Sequence, residues 1–287
     1  MKVLYFAALM CVLALSASDN TAKILLTYPG WKLKALSFSY DDATNSDRRL
    51  IQIFDRYKMK GTFHIPSAWI KKVSDKRIQE SELKKIYAGH EISGHGWQHK
   101  PLARIPLETA DAEIAADIRC LKRLTGKTIT GYAYPFGSHS PAVHKLIEKH
   151  GLLYARTVRK AKNFDLPQNF FAWNPNAHHK NNIDELGEEY LKLSPDKMTV
   201  LLVWGHSYEF QTENNWQIIE NFCRKMSGKK DIYYATMAEI ALYIRASEKL
   251  VFQPEKNSFK NASDRELFFK YKNQEIKLSP GAEFVLK

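Results

Sequence analysis

Four short clusters in this chain carry side chains able to do chemistry: Asp41-Asp42, His95-Gly-Trp-Gln-His99, Tyr134-Pro135-Phe136-Gly137 and Gly205-His206-Ser207. His95 and His99 stand four apart, so a helical turn between them would set both rings on one side. Two imidazoles with one carboxylate suit Zn²⁺ or a related divalent ion and leave positions open for water and substrate. Adjacent aspartates in an extended segment point to opposite faces. One of the pair can therefore bind a metal while its neighbour faces an attacking water. The plainer role for such a pair is a helix N-cap, which Thr44 or Asn45 would fill equally well.

Those clusters need elements to hold them. A strand pattern over 33–39 runs into Asp41, and apolar residues at helical spacing follow over 47–60. A strand over 62–65, a helix over 79–87 and a short strand over 91–93 lead to His95. A long amphipathic helix starts near Leu107, carries Ile114, Ile118, Leu121 and Leu124 on one face, and closes at Gly126. Strands are expected over 129–136, 152–158, 199–204 and 232–235, with helices over 141–150, 216–226 and 237–246. This alternation predicts a parallel sheet with crossover helices, and about seven units predict a closed or nearly closed barrel. Active sites of such barrels form at the carboxyl ends of the strands. All four clusters fall there. From 249 the pattern changes to short strands over 250–252, 267–271, 275–278 and 283–286, with turns at Asn273 and Pro280-Gly281.

A chain of 287 residues accommodates one such barrel and little more. Its 44% hydrophobic and 12% aromatic content exclude intrinsic disorder. Three cysteines are too few for a disulfide framework, and no apolar run is long enough for a membrane span. The net charge of +12 raises the question of a nucleic-acid partner. The basic residues, however, are scattered pairs such as Lys84-Lys85 and Lys229-Lys230, and no basic block is interleaved with aromatics. No nucleic-acid partner is expected; the charge reads as a lysine-rich surface that also favours anionic cell-wall or membrane material. Residues 1–18 combine Lys2, an apolar core and small residues at the end, the pattern of a secretory signal. A secreted or periplasmic protein is expected, and Met10 before Cys11 argues against a lipoprotein. Cys120 and Cys223 lie in helix-like apolar patterns and read as buried thiols rather than a pair.

The four clusters, in this order, resemble the NodB-type polysaccharide deacetylase family, also called carbohydrate esterase family 4. The paired aspartates match Ser39-Tyr40-Asp41-Asp42-Ala43, and the His-(Ser/Thr)-x-x-His motif matches His95 to His99 with Gly96 in place of the hydroxyl residue. The Arg-x-Pro-(Tyr/Phe)-Gly motif matches Ala133 to Gly137 with its arginine lost. The late Leu-x-His motif matches Leu202 to His206 with two extra residues. This resemblance implies a distorted (β/α)7 barrel over 19–246, with 247–287 as a small C-terminal β appendage. It further implies one divalent ion, Zn or else Co, Ni, Mn or Fe, on Asp42, His95 and His99. Asp41 would be the general base, His206 the general acid, and the backbone N–H of Phe136 an oxyanion donor. The substrate would be an acetylated carbohydrate, with Trp97, Tyr134, Pro135, Trp173 and Trp204 as candidates to line its cleft.

The departures from the family pattern open specific questions. In the family the lost arginine orients the base, so Asp41 is either held by another cation or less well tuned. Trp173 fits a family tryptophan, but Asn174 follows where an aspartate is usual. Asn176 and His178-His179 belong either to the cleft or to an exposed loop. Two competing readings follow: a hydrolase of the same fold acting on a non-carbohydrate amide or imide, and a glycan-binding descendant without catalysis. Against the second stands the presence of all five residues the chemistry requires.

Overall fold

The computed structural model describes residues 24–71 and 74–286. The leader expected over 1–18 lies outside the described residues, as does Cys11. Strand β1 (Leu25–Thr27) precedes β2 (Lys34–Asp41), whose eight residues are all buried. A strand buried on both faces, as KALSFSYD is, belongs at the centre of a parallel sheet. Helix α1 (Asp47–Arg56) covers it through Leu50, Ile51, Ile53 and Phe54. Then come β3 (Gly61–Ile65), α2 (Leu83–Ile86), β4 (Glu91–Gly94), α3 (Leu107–Thr125), β5 (Gly131–Ala133), α4 (Pro141–Lys149) and β6 (Tyr154–Arg156). The remainder of the layer is β7 (Ala177–His178), α5 (Ile183–Lys192), β8 (Thr199–Gly205), α6 (Ser207–Thr212), α7 (Gln217–Met226), β9 (Ile232–Tyr234) and α8 (Met237–Ser247).

The main sheet runs β6-β5-β4-β3-β2-β8-β7, with every pairing parallel. It curls into a distorted (β/α)7 barrel, as expected. Strand β9 pairs with the first half of β2 while β3 pairs with the second half, so the sheet splits at that side. A single parallel bridge from Arg156 to Trp173 begins to close the gap between the edge strands.

The tail forms two three-stranded antiparallel sheets from β10 (Leu250–Gln253), β11 (Ser258–Asn261), β12 (Leu267–Tyr271), β13 (Gln274–Leu278) and β14 (Glu283–Val285). Strand β1 completes one of them by pairing with β12, so this layer draws on both ends of the described chain. The Tyr243 hydroxyl on α8 donates to the Thr27 carbonyl at 2.7 Å and accepts from the Phe268 N–H at 3.0 Å, which fixes the layer to the barrel. Lys272 and Asn273, both at positive φ, make the two-residue turn between β12 and β13.

Several expected elements differ in the structure. The strand expected over 129–136 ends at Ala133, because Pro135 opens a 3-10 turn (Pro135–Gly137) instead. The helix expected over 79–87 is a 3-10 turn joined to the single turn of α2. Helix α5 was not anticipated. It buries only Ile183, Gly187 and Tyr190, too thin an apolar stripe to read, because Gly187 is where the Phe222 ring of α7 comes close. Cys120 and Cys223 are free and buried.

Candidate metal centre and active site

Asp42, His95 and His99 converge at the carboxyl ends of β2 and β4, with one ligand atom from each within 4.8 Å of the others. The two Nε2 atoms lie 3.1 Å apart, and Asp42 Oδ1 lies 3.9 Å from His95 Nε2 and 3.8 Å from His99 Nε2. Those separations fit three groups facing a shared centre. The chemistry of the donors fits a divalent ion as well. Asp42 Oδ1 is buried with no hydrogen-bond partner. His95 Nδ1 lies 2.7 Å from the Ala133 carbonyl, which assigns its proton there and leaves the Nε2 lone pair free. Burial, then the neighbouring His95, push His99 down to about 3, so its ring is a neutral ligand at physiological pH.

Backbone strain concentrates at this centre. Asp42 (φ 81), Ala43 (φ 50), His99 (φ 61) and Phe136 (φ 57) are non-glycine residues in the left-handed region. Such conformations cost about 1–3 kcal/mol each and persist where surroundings over-determine them. The turn at Asp42 and Ala43 explains how neighbouring aspartates serve different partners: Asp41 finishes β2 in extended form, and Asp42 leaves the strand line. The helical turn expected between His95 and His99 is absent. An irregular loop stands there, with Gly96 at φ 81 and a Cβ at that position 3.1 Å from the Tyr132 hydroxyl. Glycine in place of the family's hydroxyl residue is thereby accounted for.

Helix α3 holds that loop. Asp117, fully buried, accepts from the N–H groups of His95 (2.8 Å), Gly96 (2.9 Å) and Ser67 (2.9 Å) and from the Ser67 hydroxyl. Glu113 accepts from the Gln98 N–H at 2.7 Å. Replacing Asp117 with alanine strands these buried donors, at about 1–3 kcal/mol each before relaxation. Metal affinity is expected to fall about 10–100-fold, the usual effect of losing support behind a ligand. A competition titration of the variant against a chromogenic chelator checks this; unchanged affinity would remove Asp117 from the support of the centre.

Asp41 has a cation after all. Arg156, the last residue of β6, donates through Nη2 to Asp41 Oδ2, and both side chains are buried. The same guanidinium bonds Ser39 Oγ at 2.9 Å and the Thr157 carbonyl at 3.1 Å, and lies 4.5 Å from the Trp204 ring centre. Arg156 pairs in register with Ala133, so the cation stands one strand over from the family's motif position. Burial alone would raise the Asp41 carboxyl, but Arg156, with His95, His64 and His206, outweighs it and holds the group well below the carboxylate range. No motif announces Arg156. Its only signal is an arginine in an otherwise apolar strand.

His206 stands just beyond β8 as the N-cap of α6. Its Nδ1 lies 3.3 Å from Glu209 Oε2, and Glu209 also accepts from its backbone N–H at 3.2 Å. Burial works to lower the imidazole, but Glu209, Asp41 and Asp42 prevail and leave it raised above the ordinary histidine value. The spacing His-x-x-Glu at a helix start is a capping pattern, and it was the readable signal for Glu209.

The cleft candidates separate. Trp204 is half-buried between Arg156 and His178, whose ring meets it edge-on at 4.7 Å. Trp97 is half-buried, with Lys71 Nζ 4.7 Å from its ring centre. Phe136 is exposed and sets its ring against His99 at 4.6 Å. Pro135 is buried at the start of its turn. Trp173 and Tyr134 depart from expectation as cleft residues. Trp173 is 1% exposed and packs edge-on against Tyr154 and Phe170, while Tyr134, also 1% exposed, donates to the Phe171 carbonyl. Both aromatics fill core space between the sheet and the 3-10 turn at Phe170–Ala172. Asn176 and His179 are buried, and β7 carries His178 beside Trp204, so this segment is no exposed loop. Trp69, 4.9 Å from the His99 ring, and Arg77, bonded to the Asp42 carbonyl at 2.6 Å, also flank the centre and had no sequence signal.

Comparison with known proteins agrees with this fold. Residues 31–155 match the family model for polysaccharide deacetylase. A peptidoglycan deacetylase from Helicobacter pylori is 32% identical over 112 residues, 38% of this chain and 36% of the relative. The chain thus spans little more than a third of that curated relative's length in the match. Among solved structures, a Mycobacterium smegmatis protein assigned as a polysaccharide deacetylase superposes with a TM-score of 0.59 at 19% identity, covering 80% of this chain and 96% of that one. A Pseudomonas aeruginosa PAO1 protein assigned likewise gives 0.56 at 16% identity, covering 75% and 91%. At such identities the superpositions speak for the fold alone.

Proposed function

We propose, from the match of residues 31–155 to the polysaccharide deacetylase family model, that this chain is a NodB-type family member and a metal-dependent hydrolase that removes acetyl groups from a carbohydrate. The observation that carries the proposal is the convergence of a three-donor cluster, an arginine-held aspartate and a glutamate-held histidine at one end of the barrel. Asp42, His95 and His99 would hold the ion. When bound, it supplies Lewis acidity toward the acetyl carbonyl and the attacking water. Asp41, kept ionised by Arg156, takes the proton of that water. His206, whose Nδ1 is engaged by Glu209, presents Nε2 and delivers a proton to the departing nitrogen or oxygen of the sugar. The backbone N–H of Phe136 is the proposed donor to the developing oxyanion.

The printed name of the Helicobacter pylori relative and the signal-like residues 1–18 favour a secreted or periplasmic enzyme acting on an acetylated cell-wall glycan. The 26% charged residues with their basic excess suit an anionic wall matrix.

The acid role makes a leaving-group prediction. A sugar amide needs its nitrogen protonated, whereas an aryl acetate departs unaided. His206→Ala is therefore expected to lose about 10²–10⁴-fold on an N-acetylated sugar and far less on an aryl acetate. In the wild type, activity on the sugar should decline at a higher pH than an ordinary histidine would set, because the imidazolium is stabilised and its proton is lost later. Equal losses on both substrates in a variant of normal metal content would refute the acid role.

A further inference from the structure

The described residues contain a second group of metal donors, which the reaction above does not use as such: His178, His206 and Glu209, again with ligand atoms within 4.8 Å of one another. His178 Nε2 lies 3.1 Å and His206 Nδ1 3.3 Å from the same oxygen, Glu209 Oε2. A third imidazole joins them, with His179 Nε2 3.3 Å from that oxygen. The edge of a tetrahedron with bonds of about 2.0–2.1 Å is about 3.3 Å, so each imidazole stands from Glu209 Oε2 at a distance that two ligands of one ion would have.

Hydrogen bonding alone does not satisfy the cluster. One carboxylate oxygen offers two lone pairs and faces three imidazoles. The surplus is visible in His179, which is 1% exposed and has no hydrogen-bond partner at either ring nitrogen. Its Nδ1 is turned to Gly205, where a Cβ would sit 2.0 Å away, so Nε2 is the nitrogen left facing Glu209. Glu209 Oε1 is occupied by Lys180 Nζ at 3.0 Å. That ammonium weakens the site for a cation and ranks it below Asp42, His95 and His99.

We propose that His178, His206 and Glu209, with His179 beside them, form a second and weaker divalent-cation site whose filling switches the hydrolase off. Two or three imidazoles with one carboxylate select Zn²⁺ over Mg²⁺ or Ca²⁺. An ion there takes the Nδ1 lone pair of His206, and the proton that Nδ1 shared with Glu209 leaves to solvent. The ring then keeps only its Nε2 proton as a neutral imidazole, too weak an acid to protonate a sugar nitrogen. The switch rests on the acid role proposed for His206, whereas the ion count does not.

The test titrates Zn²⁺ into chelator-treated full-length protein, reading bound metal and acetate release together. The wild type should bind two ions of different affinity, with acetate release rising with the first and falling at least tenfold with the second. His178→Ala, or His178→Gln should the first variant fold poorly, should bind one ion, and its turnover at that stoichiometry, whatever its level, should not fall on addition of excess Zn²⁺. His99→Ala should lose the tighter ion and keep the weaker. One ion in the wild type, or two in both His178 variants, overturns the site. Two ions with undiminished acetate release overturns the switch. Absence of acetate release at every stoichiometry would count against the hydrolase reading, while the ion counts would still decide the site.

Discussion

Asp41→Asn is expected to lower acetate release about 10²–10⁴-fold while leaving the metal in place. Asparagine keeps the size of the side chain and an oxygen for Arg156, but an amide cannot take a proton from water. Asp41 is not in the three-donor group, so the ion count should stay unchanged. The same substitution has a structural cost. Arg156 is fully buried, and removing its counter-charge leaves a guanidinium without an anion. Breaking a buried pair in this way costs about 3–5 kcal/mol, so the variant should also unfold at lower temperature. Assays must therefore be run well below that transition, with metal content and circular dichroism alongside. Wild-type acetate release from Asp41→Asn would remove this residue from the mechanism.

His99→Ala is expected to strip the tight ion and, with it, nearly all turnover. Two donors would remain, Asp42 and His95; Asp41 Oδ2 is engaged by Arg156, and the buried His64 lies 2.8 Å from Ser39 Oγ. His99 enters the site as a neutral ring, so its loss removes a lone pair and changes no charge at physiological pH. The expected signature is thus a loss of metal with little change in stability of the metal-free protein. Metal analysis after dialysis measures the first and thermal unfolding in chelator the second. A full equivalent of tightly held ion in this variant would show the ligand assignment to be mistaken.

What could be read from the sequence was governed by locality. Asp42, His95 and His99 were legible because their types and spacing repeat a family pattern and because each follows a strong strand. Their local conformation was not: the loop from His95 to His99 is irregular because Asp117 and Glu113, on the α3 helix that follows it, satisfy its N–H groups in place of helical bonds. Arg156 and Glu209 were missed for different reasons. Arg156 serves a partner chosen by sheet curvature, across from β6 to β2, whereas Glu209 turns back onto the residue that opens its own helix, a local pattern that marks a cap as readily as a site. The tail was read as strands, but β1 pairing with β12 joins residues more than 240 apart, and nothing in a three-residue strand specifies such a partner. Trp173 misled because a large aromatic near a cleft motif fills a core as readily as it stacks on a sugar.

The central claim is that an ion on Asp42, His95 and His99 drives removal of acetyl groups from a glycan. Acetate release from a panel of N- and O-acetylated glycans, peptidoglycan among them, should be measured on the protein as isolated, after chelation, and after restoring one equivalent of Zn²⁺ or Co²⁺. The account predicts release from at least one glycan, its loss on chelation and its recovery with the single equivalent. Full release by the metal-free protein, or none from any glycan by protein carrying one ion, would contradict it.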